Sequence, residues 1–163
     1  MGCASSSFDT PSTITDGYKT WDKVPGCMGF VETADFANLR ALARSHSPAG
    51  APGSAVDVKG QTLLHFAIQW YAFHNVSRPP VADCCKVISA LIEAGVPVDA
   101  VTAKYYSQGI LVGGQTALHL AVKPHVKEFE DLLLSHGATA TIKNAWDCDV
   151  AAWKAKELYG ACR

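Results

Sequence analysis

The sequence predicts an all-α protein made of repeated helical units, and three observations support this. Gly60-Gln61-Thr62-Leu63-Leu64-His65-Phe66-Ala67 returns as Gly114-Gln115-Thr116-Ala117-Leu118-His119-Leu120-Ala121, identical at six of eight positions. Such self-similarity marks units that bury an apolar face only by stacking on one another. Each copy is followed by an amphipathic stretch closed by glycine, residues 86–95 and 128–137, with the apolar spacing and terminal Gly of a helix. The composition agrees: 163 residues, 48% hydrophobic and 18% charged, make one domain with a core, too apolar for general disorder.

The repeated segments resemble the ankyrin-repeat family, whose G-x-T-P-L-H-x-A and L-L-x-x-G-A signatures they reproduce except for the proline, replaced by Leu63 and Ala117. The first helical position accepts any good helix former, so the replacement is tolerated. The resemblance implies an ankyrin-repeat solenoid of stacked helix-turn-helix units with short β-hairpin loops. The family period is about 33 residues, with about 21 from its Thr to the Gly of its second helix. Thr116 to Gly137 is 21 residues, whereas Thr62 to Gly95 is 33 and Gly95 to Thr116 is 21. The excesses of 12 and 9 residues are expected in loops between elements, where a stack tolerates insertions.

Taken in chain order, residues 1–16 read as a flexible N-terminal tether and residues 17–163 as the repeat domain. Trp21, Val24, Met28 and Phe30 suit an N-terminal cap. Phe36, Leu39, Leu42 or Ala43, and His46 follow helical spacing, so residues 34–45 are predicted as the second helix of a degenerate first repeat. Residues 47–55, rich in Gly, Pro, Ala and Ser, form an irregular connection. Thr62 and Thr116 then open the two full repeats, and residues 101–112 between them suggest a long β-hairpin around Gly109. One period beyond Thr116 stands Asp149, which can cap a helix as Thr does. That leaves a single C-terminal capping helix, with Val150, Trp153 and Leu158 against the preceding repeat and Lys154 and Lys156 in solvent.

The resemblance gives His65 and His119 a buried hydrogen-bonding role with Thr62 and Thr116, in place of catalysis or metal binding. His74, Cys84 and Cys85 lack any C-x-x-C or H-x₃₋₅-H pairing, so no metal and no cofactor are expected. A helix N-terminus can lower a thiol pKa at Cys84 or Cys85, although packing is the commoner role there. The candidate partner-binding residues lie in the insertions. Trp70, Tyr71, Phe73 and Arg78 in the first are of the types enriched at binding hot spots. Equally open is a reading in which the first aromatics extend the helix and pack inward, leaving residues 74–80 as the loop. Tyr105, Tyr106, Ile110 and Leu111 in the second insertion form an apolar hairpin that needs cover from this chain or a partner. In the family, hairpin tips and first helices line a concave groove and the helix-to-helix turns lie at the opposite end, so the two insertions are expected at different ends.

A formal charge of −1, from 14 basic and 15 acidic side chains, offers no polybasic footprint for nucleic acid. No small-molecule substrate is expected either. Six scattered cysteines and no leader pattern read as reduced thiols in the cytoplasm. Met1-Gly2-Cys3-Ala4-Ser5-Ser6 matches the N-myristoylation pattern, with Gly2 as acceptor. One myristoyl chain binds a bilayer at only about 10⁴ M⁻¹, and residues 1–29 carry no basic excess, so Cys3 is expected to take a second, palmitoyl chain. The resulting expectation is a non-enzymatic protein–protein interaction adaptor on the cytoplasmic face of a membrane. The alternatives are a structural subunit of a large cytoskeletal or membrane-associated assembly and, with less support, a thiol-dependent enzyme.

Overall fold

The computed structural model describes residues 20–47, 51, 53–74, 77–122 and 126–159. The acylation motif at Gly2 and Cys3 and the tether that carries it lie outside these residues, as does the side chain of Leu158. A 3₁₀ turn at Trp21–Lys23 leads into α1 (Cys27–Glu32) and α2 (Phe36–Ser45), followed by α3 (Leu63–Phe73) and α4 (Val81–Glu93). Strands β1 (Lys104–Ser107) and β2 (Ile110–Gly113) come next, then α5 (Ala117–Ala121), α6 (Lys127–Ser135) and α7 (Val150–Tyr159). Neighbouring helices pair as α1 with α2, α3 with α4 and α5 with α6. Helices α3, α5 and α7 stack as an inner layer, and α2, α4 and α6 as an outer one. The core lies between the layers, where Leu64 and Ile68 of α3, Val87, Ile88 and Leu91 of α4, Leu118 of α5, and Phe129 and Leu133 of α6 are all fully buried.

The N-terminal region forms a complete helix pair. Trp21 and Val24 are buried in the core, while Met28 and Phe30 sit on α1 and pack against it. The Trp21 indole N–H donates to the Gln61 carbonyl at 2.7 Å, which ties this pair to the next unit. Residues 34 and 35 are not helical, in contrast to the sequence prediction. Ala34 adopts a left-handed φ of 52° after α1, and the Asp35 carboxylate then caps α2 by accepting the Asn38 N–H at 3.1 Å, as an N-cap residue should.

The twelve extra residues of the first full repeat are mostly helix, which corrects the loop expectation. Helix α3 has 11 residues where α5 has 5, and α4 has 13 where α6 has 9. The reason is burial. Ile68 and Tyr71 are fully buried and Trp70 is 8% exposed, and the burial of these large side chains, together with the helical backbone hydrogen bonds, offsets the entropy of ordering six further residues of α3. Tyr71 meets Phe129 of α6 at a centroid distance of 6.2 Å. Arg78 in the remaining loop donates to the Tyr71 carbonyl, satisfying one of the acceptors that a helix end leaves open.

The second insertion is the expected hairpin, with Tyr105 opposite Val112 and Tyr106 opposite Leu111. Gln108 (φ 52°) and Gly109 (φ 79°) turn the chain with positive φ at both positions, the twist that matches paired strands. The Lys59 carbonyl accepts the Ala103 N–H at 2.9 Å and the Gly113 carbonyl accepts the Ala145 N–H at 3.1 Å, so the successive inter-unit loops, or fingers, are joined backbone to backbone. Gly113 is required at this junction: its φ is 90°, and a Cβ there would lie 2.0 Å from the Ala103 carbonyl oxygen. Gly113→Ala is expected to cost more than the ~1–3 kcal/mol of backbone strain alone, measured by urea denaturation.

Candidate functional site

The surface of the fingers and inner helices is held in place by a repeated polar device. Thr62 caps α3, its hydroxyl accepting the His65 N–H, while His65 Nδ1 accepts the Thr62 N–H at 3.2 Å. His65 Nε2 lies 3.1 Å from the Gln115 carbonyl of the next finger. A carbonyl can only accept, so Nε2 carries the proton. Thr116 and His119 repeat the pattern, with Nδ1 accepting the Thr116 N–H at 3.3 Å and Nε2 3.2 Å from the Cys148 carbonyl. Asp149 caps α7 by accepting the Ala152 N–H at 2.8 Å. Burial pushes the His65 imidazole down to about 4 and lowers His119 for the same reason. Both rings are therefore neutral near neutral pH, as their acceptor nitrogens require.

Three further residues shape the fingers. The Asp57 carboxylate accepts the Lys59 and Gln61 N–H groups at 2.8 and 3.0 Å, the Asn144 side-chain oxygen accepts those of Trp146 and Cys148, and the Thr102 hydroxyl accepts that of Gln115. The sequence reading passed over these residues, although a positional signal was present. Asp57 and Asn144 each stand five residues before a cap, Thr62 and Asp149, and Thr102 stands at the same offset from Thr116 plus the nine-residue insertion. Asp, Asn and Thr are the residues whose short side chains fold back on nearby backbone N–H groups in turns.

The structure divides the sequence-selected partner-binding residues into two groups. Tyr106, Ile110, Phe73 and Tyr105 are exposed, at 76%, 59%, 56% and 48%, and Leu111 is half-buried. Trp70 and Tyr71 belong to the core, and Arg78 is half-buried at the end of α3. Tyr71 therefore offers nothing to a partner, and Trp70 offers only an edge. That edge, with Phe66, Phe73 and His74, lines a cleft of about 290 Å³ on α3. A neighbouring cleft of about 370 Å³ lies among the fingers, walled by Tyr105, Gln115, Trp146 and Trp153. The indoles of Trp146 and Trp153 stack at 5.0 Å and 9°. Lys154 is exposed and pairs with Glu130 at 2.7 Å.

The remaining candidates have local partners. His74 stacks on Trp70 at 4.6 Å, with Nδ1 2.9 Å from the Trp70 carbonyl. Cys84 is buried in the first turn and a half of α4, and its Sγ donates toward the Pro79 carbonyl at 3.5 Å. Burial pushes this thiol up to about 11 and raises Cys85 as well, with the Glu128 charge adding to the effect there. A nucleophilic thiolate needs the opposite shift.

Helix pairs stacked in two layers, with finger loops, one of them a β-hairpin, stitched along one edge, define a helical repeat fold that presents an extended side surface. The ankyrin-repeat family model matches residues 113–145, the stretch from the end of β2 through α5 and α6 into the third finger. Residues 113–145 are thus an ankyrin repeat, and the fold around that segment is an ankyrin-like helical repeat. No curated protein matches the chain. An ankyrin repeat points to protein–protein interaction, and the family is generally non-enzymatic. Among the described residues no helix is long and apolar enough to cross a membrane.

The imidazoles make stability depend on pH in a defined direction. Their folded pKa values lie below the ordinary value of about 6.5, so the unfolded chain binds protons first as the pH falls. Stability is expected to be fully present above pH 6.5. Below that it should fall by up to about 1.4 kcal/mol per pH unit for each histidine, the His65 contribution fading near its folded value of about 4. Urea melts of the wild type and of His65→Leu between pH 7 and 4.5 check this: the variant should be less stable at pH 7 and show a shallower decline.

Proposed function

We propose that this protein is a non-enzymatic interaction adaptor, held to the cytoplasmic face of a membrane through acyl chains on Gly2 and Cys3, which binds a partner protein across its fingers and inner helices. The observation that carries the interaction reading is the β1–β2 hairpin. A two-residue turn and backbone bonds to both neighbouring fingers make it rigid, yet it holds Tyr106 and Ile110 in solvent. Aromatic and aliphatic side chains fixed in water on a rigid element lose little entropy on binding. The exposed Phe73 on the lengthened α3 extends the same surface. The tether reading is supported by the M-G-x-x-x-[ST] pattern with an adjacent cysteine; since residues 1–29 carry no basic excess, Cys3 is the residue on which stable attachment depends.

Two measurements test these halves separately. Tyr105→Ala with Tyr106→Ala is expected to weaken partner binding while leaving the urea midpoint within about 0.5 kcal/mol of wild type, as for surface substitutions. A large loss of stability would instead make both tyrosines core residues. Gly2→Ala should move the protein from the membrane to the soluble fraction of a eukaryotic cell, and Cys3→Ala should leave weak attachment of about 10⁴ M⁻¹, the strength of one chain. Unchanged partition of Gly2→Ala would remove the tether from the proposal.

A further inference from the structure

The charge and hydrogen-bonding character of the inner surface narrows the chemistry of its partner. The cleft among the fingers and the cleft on α3 meet at Gln69, which lines both. No carboxylate lines either cleft, and apart from the histidine at position 74 the one ionisable cation in the lining is Lys59. The fingers bear one lysine each, Lys59, Lys104 and Lys143. Of these, Lys143 is neutralised by its pair with Asp147 at 3.0 Å, while the Asp57 carboxylate near Lys59 is buried and turned to backbone N–H groups, which leaves Lys59 as the cation that the finger cleft presents. The walls also supply donors. The Gln61 amide donates to Gln69 Oε1 at 2.8 Å, which fixes the Gln69 amide with its NH₂ group as a donor to an acceptor on a ligand. The indole N–H of Trp153, in the wall of the finger cleft, is buried and has no acceptor among the described residues. The α3 end is apolar instead, with Phe66 and Phe73 about 10 Å apart along the helix axis.

We infer that this surface takes a linear acidic peptide, with a carboxylate beside Lys59 and an apolar side chain seated between Phe66 and Phe73. The inference rests on the interaction reading above and adds the class of partner. A protein of neutral overall charge thus presents a finger cleft in which Lys59 is the one charged side chain of the lining, and complementary charge on the partner sets both encounter and register.

The test is selection of a random dodecapeptide phage library on the immobilised full-length protein, followed by titration of the selected synthetic peptides against wild type, Lys59→Glu and Phe73→Ala. Both substitutions are at exposed positions, and unchanged thermal melting verifies that the variants fold. Selected peptides should carry net negative charge and a Leu or aromatic residue. Their affinity should fall about tenfold or more in Lys59→Glu and weaken with salt, and should fall severalfold in Phe73→Ala. Neutral or basic peptides that still lose affinity in Phe73→Ala would overturn the acidic assignment while leaving the interaction surface in place. Absence of enrichment, or peptides indifferent to both substitutions, would overturn the inference and this surface together.

Discussion

The architecture depends on the bond from a buried imidazole in one unit to a backbone carbonyl in the next. His65 closes the N-terminus of α3 with one ring nitrogen and reaches the Gln115 carbonyl with the other, and His119 does the same between α5 and the Cys148 carbonyl. Each ring joins three things that stacking alone leaves adjustable: the start of a helix, the position of the next finger and the distance between units. A buried N–H or C=O without a partner costs about 1–3 kcal/mol, so a shifted register would strand several groups at once. Lysine and arginine could not substitute, because they donate without accepting.

The finger backbone and the exposed side chains follow from that constraint. With Gln115 and Cys148 held, the bonds from Ala103 to Lys59 and from Ala145 to Gly113 align the fingers as a continuous edge. Tyr105, Tyr106 and Ile110 extend from this edge. The unequal units add a second feature. Because α3 runs six residues longer than α5, its last turns carry Trp70 and Phe73 past the end of the shorter helix. Trp70 turns mostly into the core while Phe73 stays in water. The same extension that buries Tyr71 thus produces the apolar end of the inner surface.

Much of this was readable from the residues in order. The two octapeptides, the closing glycines, the cap at Asp149 and the hairpin around Gly109 are local signals, each determined by contacts within a few residues, and each falls where the structure has it. The length of α3 was not readable in the same way. The sequence around Trp70 and Tyr71 allows either a helix or a loop, and what decides is the presence of Phe129, far along the chain, against which Tyr71 packs. For the same reason Tyr71 and Arg78 looked like contact residues: their types are frequent at interfaces and equally suited to a core and to a helix end. Asp57, Thr102 and Asn144 went unread because a polar residue in a loop attracts notice only once the N–H groups it accepts are known.

By itself, then, the sequence determined the repeat, the positions of its helix caps and the neutral overall charge, because capping and turn chemistry act between near neighbours and charge is a sum. Only the tertiary structure decided which aromatics are core and which are surface, and that the lining of the finger cleft holds Lys59 and no carboxylate. Those outcomes depend on which distant segments meet, and burial against a partner from another unit is a property of the stack.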